Sequence, residues 1–240
     1  MTEKKLQKPL LYAVYALFVF FGVWLVFGII GYGRRVAHDR EALRQSAAIR
    51  ENFDRCAVLH ARYITGNNAI IAHITVPGTA LDYAVVHCND NFFYLTHDLF
   101  GQPNENGAIF LDYANSPSFT DPNTIIYGHN RQSGMKFHDL ELFQEQDFFE
   151  KNSTIRLATL EGKLIYEIFA VFTAHISFQY IQVDFASDDD FLSLMTEIKD
   201  RAMHTRDVTI EADDRILILS TCTNIGPTGR LAVVGRLKTP

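Results

Sequence analysis

The chain has 240 residues, of which 48% are hydrophobic and 21% charged, and its formal net charge is −6. This composition excludes a disordered or collagen-like chain. The acidic balance argues against a nucleic-acid-binding protein, which would carry a basic patch. The three cysteines, Cys56, Cys88 and Cys222, show no zinc-like spacing, and the sequence contains no H-E-x-x-H cluster. We therefore expect no metal site and no cofactor.

An uncharged and mostly apolar run extends from residue 9 to residue 33. As a helix it would be about 37 Å long, enough to cross a hydrocarbon core of about 30 Å. The run is longer than the apolar region of a signal peptide and is not followed by a small-residue cleavage pattern, which favours a retained anchor over a cleaved signal. Lysines precede the run and arginines follow it, so charge alone leaves the orientation open.

The next segment, residues 34–68, is predicted to be helical, because charged and apolar residues alternate up to residue 62 without proline or glycine. From residue 69 onward the pattern changes to short β-type runs separated by turn residues. The predicted strands are 69–76, 81–86, 107–111, 124–127, 154–160, 163–172, 215–221 and 231–237. Strands of this length and spacing predict a mainly-β domain, either a barrel or a sandwich, over residues 69–240.

One clear helix interrupts the predicted strands. Its apolar residues repeat at helical spacing and form one stripe: Phe191, Leu194, Met195, Ile198 and Ala202. Ser187 is the expected N-cap, and the three aspartates that follow it place negative charge where the helix dipole favours it. A shorter helix is predicted around residues 137–149.

Two strand ends carry residues that suggest chemistry. Cys222 ends the apolar run 215–222, and Arg230 opens the next strand. If the two strands pair antiparallel, the thiol and the guanidinium lie at one end of the sheet, where the cation would stabilise a negative charge. His129 follows the β-run 124–127 at a turn and is suited to proton transfer. The structural alternatives are a half-buried cysteine beside a surface arginine, and a histidine that only supports its turn.

Several sequence phrases, taken together, resemble the sortases, specifically the class B sortases of Gram-positive bacteria. The matching phrases are 76–79 with 81–83, 89–91 followed by 94–95, 107–113, 123–130, 135–140, and 214–222 with Arg230. They keep the order and spacing of the family over most of residues 69–238.

The resemblance implies a closed eight-stranded β-barrel with N-terminal helices and a long helix before the cysteine-bearing strand. It also implies a cytoplasmic tail and transmembrane anchor over residues 1–33, with the catalytic domain outside the cell. Members of the family are membrane-anchored cysteine transpeptidases. They cleave a C-terminal sorting signal of a surface protein after Thr and join the new carboxyl end to an amine of peptidoglycan or, in some cases, of a pilin.

By the same resemblance, Cys222 is the nucleophile that holds the acyl group as a thioester. His129 is the general acid for the departing amine and then the base for the incoming one, and Arg230 binds the substrate carbonyl and the oxyanion. The expected peptide groove is lined by Asn91, Leu95, Tyr180, Ser220 and Thr221. For these five residues a purely structural role, such as strand capping by Ser220 or packing by Tyr180, is the alternative.

Other interpretations of the sequence remain open. A non-catalytic surface module that only binds a peptide has the same residues. Another cell-wall cysteine enzyme fits less well: an NlpC-like peptidase has its cysteine before its histidine, and an L,D-transpeptidase has glycine before the nucleophile, where this chain has Thr221. The sequence does not distinguish an NPxTx-like from an (S/P)PxTG-like signal, nor does it identify the acceptor amine. A disulfide between Cys56 and Cys88 is compatible with an extracellular domain.

Overall fold

A computed structural model provides the structure, which describes residues 17, 20–37, 40, 66–131, 135–175, 177–222 and 229–238. The chain divides into two compact units, Met1–Arg44 and Gln45–Pro240. In the first unit, helix α1 (Phe20–Ala37) is long and apolar enough to cross a membrane, judged by its length and composition. Apart from residues 34–37 and 40, which are helical, the predicted helices of residues 34–62 lie outside the described residues.

The described part of the second unit contains eleven strands. They are β1 (Ile70–Thr75), β2 (Asp82–Val86), β3 (Ile109–Leu111), β4 (Asn123–Tyr127), β5 (Asn130–Arg131), β6 (Met135–Lys136), β7 (Thr154–Thr159), β8 (Lys163–His175), β9 (His204–Thr205), β10 (Ile216–Cys222) and β11 (Gly229–Leu237). Eight of them match the eight predicted runs. The other three, β5, β6 and β9, have two residues each and carry no sequence pattern that would predict them.

The main sheet closes on itself. Its strand order is β11-β10-β4-β3-β2-β1-β7-β8-β9, and β11 also pairs with β8. Eight strands therefore form a closed ring. Strand β9 is not part of the ring and pairs with β8 alone, and β5 and β6 make a separate hairpin. The predicted closed eight-stranded barrel is confirmed. Most neighbours are antiparallel, but β4 pairs parallel with β10 and β2 with β3.

The long predicted helix is also confirmed as α3 (Asp188–Arg201), with α2 (Gln146–Lys151) before it. The Ser187 hydroxyl accepts a hydrogen bond from the backbone N–H of Asp190 at 3.2 Å, which caps the first turn as expected. The apolar stripe is buried against the outer face of the barrel. This contact holds α3 against the side of the barrel that includes Ile216 and Ile218 of β10, the strand that ends in Cys222.

The helix predicted over residues 137–149 is instead two short segments, a 3-10 helix at His138–Gln144 and then α2. Glu145 between them is extended, with φ −85° and ψ 125°. In one continuous α-helix, Phe149 would lie on the face opposite Leu140, because nine residues turn the helix by about 900°. The break at Glu145 allows both side chains to be buried in the core.

Both faces of the strand that ends in Cys222 are buried. Along β10, Leu217 and Leu219 pack in the cluster that fills the barrel, whereas Ile216 and Ile218 pack with α3 outside it. A strand with apolar residues on both faces is held on both sides, as in buried central strands. The end of β10 is therefore anchored to a rigid part of the molecule.

Candidate active site

The sheet topology brings the three predicted catalytic positions to one edge of the barrel. Strand β10 lies between β4 and β11. Its parallel register with β4 pairs Ser220 with Tyr127, and its antiparallel register with β11 pairs Cys222 with Arg230. His129 follows β4 by two residues. The carboxyl ends of β4 and β10 and the start of β11 therefore meet. The Cys222 side chain and residues 223–228 lie outside the described part of the structure.

A cavity of about 410 Å³ lies at this edge, within the range of pockets that bind small ligands. The described side chains that the sequence predicts for the site all line it: His129, Arg230, Asn91, Leu95, Tyr180, Ser220 and Thr221. The structure adds six lining residues that the sequence analysis did not single out: Phe92, Phe110, Tyr127, Gly128, Phe178 and Ile181. Most of these are aromatic or aliphatic, so the cavity combines an apolar wall with a few polar groups.

His129 is oriented by a backbone carbonyl. Its Nε2–H donates to the oxygen of Leu95 at 2.8 Å. Because a carbonyl oxygen only accepts, Nε2 carries the proton in this bond, and in the neutral form of the ring Nδ1 is the nitrogen that accepts a proton. The backbone N–H of Phe137 donates to the His129 oxygen at 3.0 Å, which holds the main chain at this turn. Leu95 thus lines the cavity and also fixes the tautomer of the histidine.

Tyr180 and Ser220 are bound to each other. The tyrosine hydroxyl and Ser220 Oγ are 2.8 Å apart, and both residues are buried. Asn123, fully buried on β4, donates from Nδ2 to the carbonyl oxygens of Tyr180 and Gln182, at 3.1 and 2.8 Å. These bonds attach the connection between β8 and α3 to the barrel edge, where it supplies Tyr180 and Ile181 to the cavity.

A carboxylate outside the cavity lining binds two of the lining residues. Asp112 Oδ2 accepts hydrogen bonds from the Tyr127 hydroxyl at 2.8 Å and from Asn91 Nδ2 at 2.9 Å. Burial of the phenol, and then the negative charge of Asp112, hold the pKa of Tyr127 above its usual value, although Arg230 acts in the opposite direction. The Tyr127 hydroxyl therefore stays protonated at physiological pH.

Among the described residues that line the cavity, Arg230 is the one that carries a permanent charge. It is partly buried, and its Nη1 donates to the carbonyl oxygen of Gly229 at 2.9 Å. A guanidinium at the edge of a mostly apolar cavity is suited to binding a carbonyl oxygen that gains negative charge.

Cys88 does not line this cavity. It is a free thiol whose Sγ–H donates to the Asp90 carbonyl oxygen at 3.2 Å. Burial raises the pKa of the Cys88 thiol, and the thiolate that a nucleophile needs is correspondingly disfavoured. Cys56, its suggested disulfide partner, lies outside the described residues. Within the described ranges, no group of three or more His, Cys, Asp or Glu side chains is placed to hold a metal ion.

Comparison with known proteins identifies relatives of this chain in sequence and in fold. A family model of the sortase domain matches residues 74–238. The chain is 34% identical over 175 residues to sortase B of Listeria monocytogenes, covering 72% of this chain and 71% of the relative. It is 32% identical over 173 residues to sortase B of Staphylococcus aureus, covering 71% of each. A solved Staphylococcus aureus sortase B–substrate complex has a TM-score of 0.76 and 27% identity, covering 86% of this chain and 97% of that one.

Proposed function

The chain belongs to the sortase family as a sortase B-type cysteine transpeptidase, and from this premise we propose that it cleaves a C-terminal sorting signal after Thr through a thioester on Cys222. The product is then transferred to a peptidoglycan amine. The observation that carries the proposal is the convergence of His129, Arg230 and the end of β10 at one cavity. The five proposed groove residues line the same cavity and are the proposed contacts of the signal peptide.

In the first step, the Cys222 sulfur attacks the threonine carbonyl carbon. The thiol proton passes to His129 Nδ1, because Nε2 already donates to the Leu95 oxygen. Arg230 binds the oxyanion that forms. When the C–N bond breaks, His129 returns the proton to the departing amine and a thioester remains.

In the second step, an amine attacks the thioester carbonyl. His129 Nδ1 takes a proton from the attacking nitrogen, the C–S bond breaks, and the proton restores the Cys222 thiol. The new amide bond replaces the one that was cleaved, so the exchange needs no external energy source.

The proposal includes a location. Residues 1–33 form a cytoplasmic tail and membrane anchor, residues 34–68 a helical segment, and residues 69–240 a catalytic barrel at the cell surface. The apolar helix α1 supports the anchor. The substrates are surface proteins that carry a sorting signal, and the substrate-bound state of the Staphylococcus aureus relative supports this class.

The test compares two cysteine variants of the full chain in detergent. Each is incubated with peptides of the NPxTx and (S/P)PxTG types, together with an amine, and the products are identified by mass spectrometry. Wild type and the matched control Cys88→Ala are expected to cleave after Thr, to form an adduct of one acyl group per chain, and to release an amide product. Cys222→Ala is expected to lose cleavage and the adduct.

Two outcomes contradict the proposal. Full cleavage by Cys222→Ala would show that the reaction does not pass through a thioester on Cys222. Peptide binding by wild type without any turnover, with a Cys222 thiol no more reactive than that of an unfolded peptide, instead identifies a binding module.

A further inference from the structure

Asp112 is a buried carboxylate that the proposed reaction does not use. It follows β3 directly, is only 4% exposed, and its backbone N–H donates to the Ile125 oxygen at 2.9 Å. It does not line the cavity but binds two side chains that do. Burying a charged carboxylate costs free energy unless it is fully hydrogen-bonded. The position of Asp112 therefore needs a physical explanation.

Three donors converge on this carboxylate. Asn91 Nδ2 and the Tyr127 hydroxyl donate to Oδ2, and the backbone N–H of Ala114 donates to Oδ1 at 2.9 Å. An ionised carboxylate only accepts hydrogen bonds, so it imposes the direction of each bond. Charged acceptors also make stronger hydrogen bonds than neutral ones.

The direction of these bonds determines what the cavity wall can offer a ligand. Asn91 is held at both ends, because its Oδ1 also accepts the Tyr113 N–H at 3.0 Å. Its amide is therefore oriented, and its second Nδ2 hydrogen remains a donor. Tyr127 has a single hydroxyl hydrogen, which it gives to Asp112, so its oxygen is an acceptor for any further partner.

We propose that Asp112 is a positioning residue that sets the polarity of this wall, with a donor at Asn91 and an acceptor at Tyr127, to bind the C=O and N–H groups of an extended peptide main chain. The inference rests on the proposed function for the substrate class. An extended peptide presents both groups along its length, and side chains of fixed polarity recognise them in one register. Through Asn91 and Tyr127, Asp112 acts on substrate affinity and not on the bond-breaking step.

The test measures peptide affinity in the full chain. Each variant is made in the Cys222→Ala background, and the binding of an NPxTx and an (S/P)PxTG peptide is followed by calorimetry. Asp112→Ala is expected to weaken binding by about tenfold or more, and Asp112→Asn, which keeps one acceptor oxygen, by less. With Cys222 intact, Asp112→Ala is expected to raise KM by a similar factor and to change kcat by less than about threefold.

Asp121→Ala is the matched control. Asp121 lies in the same β3–β4 connection and also accepts from a side chain and a backbone N–H, those of Asn115 and Ser116. Within the described residues it does not line the cavity, and neither of these partners does. It is expected to lower the melting temperature about as much as Asp112→Ala and to leave peptide affinity unchanged.

A double mutant separates positioning from general destabilisation. In an Asn91→Ala background, Asp112→Ala is expected to weaken binding by less than about threefold, because part of its effect passes through Asn91. Additive effects, an equal loss of affinity in Asp121→Ala, or the absence of peptide binding to the Cys222→Ala chain would each overturn the proposal. Loss of turnover in wild type with intact binding would instead contradict the proposed reaction and leave this inference supported.

Discussion

His129 depends on a contact that its own strand does not provide. The Leu95 carbonyl that accepts its Nε2–H belongs to the segment after β2, and Gly107 packs against that carbonyl. Gly107 has φ +57°, where side chains are disfavoured. A Cβ at this position would overlap the Tyr94 carbonyl oxygen and would lie 2.9 Å from the Leu95 oxygen. The orientation of His129 therefore requires a glycine at residue 107.

Gly107→Ala is expected to reduce peptide cleavage by about tenfold or more, because the methyl group displaces the Leu95 carbonyl and with it the imidazole. It should also lower the free energy of unfolding by about 1–3 kcal/mol through overpacking, in addition to the cost of the positive φ. The measurements are kcat/KM with a signal peptide and a denaturant titration.

Gly101→Ala is the control for this prediction. Gly101 has φ +74° in the same connection between β2 and β3, but a Cβ there would meet nothing closer than a Phe93 ring atom at 3.8 Å. Gly101→Ala has the conformational cost of a side chain at positive φ, but its Cβ does not overlap neighbouring atoms. Its cleavage activity is therefore expected to stay near wild type. Equal losses of activity in the two variants would show that backbone strain, and not the displaced carbonyl, is responsible.

Single residues at the site differ in how far sequence can predict them. His129 and Arg230 stand at the ends of recognisable β-runs, where side chains reach a cavity, so position and chemistry pointed to them. Gly107 and Asp112 also lie at the two ends of a predicted run, but this position alone does not indicate what they contact. Their partners, Leu95 for one and Tyr127 for the other, come from other segments, and only the folded chain brings them together.

Among the elements, the connection from β8 to α3 contributes most to the cavity without regular structure of its own. Phe178, Tyr180 and Ile181 all come from it. Two hydrogen bonds from the buried Asn123 side chain hold its main chain against β4. The burial of Tyr180, which is 3% exposed, depends on this attachment and on the Ser220 hydroxyl.

Asn123→Ala is expected to lower the free energy of unfolding by about 1–3 kcal/mol, because the buried carbonyl of Tyr180 and that of Gln182 lose their donor. It should also raise KM, since the wall that Tyr180 supplies is loosened. Thr124→Ala is the control: Thr124 is buried beside Asn123 on β4, and its Oγ1 makes no hydrogen bond within the described residues. Chemical denaturation and peptide kinetics measure both effects. An unchanged KM in Asn123→Ala would show that the connection is held by other contacts.

The strands of the barrel were predictable because each is a short β-type run, apolar or alternating, bounded by turn residues. The two-residue strands β5, β6 and β9 were not, since so short a pairing depends on its neighbour and not on a local pattern. The helix break at Glu145 shows the same limit: local periodicity favours one helix, and burial of Phe149 requires two.

At the scale of the whole molecule, the parallel pairing of β4 with β10 is the step that creates the site. It joins strands distant in sequence and places the residues after each of them at one edge. Composition and spacing left both a barrel and a sandwich open, and the closed barrel was predicted from the resemblance to a family. Strand pairing between distant segments is set by the packing of the complete core, which local sequence patterns do not encode.

The proposed anchor makes a prediction for the whole chain. Helix α1 exposes large apolar side chains such as Trp24 and Phe27, which water disfavours and a bilayer accepts. The full chain is therefore expected to float with phosphatidylcholine vesicles on a density gradient, at high salt as well as at low salt. Residues 45–240 alone should remain in solution and cleave signal peptides with a kcat within about twofold of the full chain, because the cavity belongs to that unit.

A charged variant of the full chain serves as the control for flotation. Val26→Arg together with Phe27→Arg keeps the length of α1 but places two charges near its centre, where each costs about 2.5–3.5 kcal/mol of insertion free energy. This variant is expected to stay out of the vesicle fraction and to keep its cleavage activity. Flotation of the charged variant, or of residues 45–240, would mean that a surface of the catalytic unit and not α1 binds the membrane.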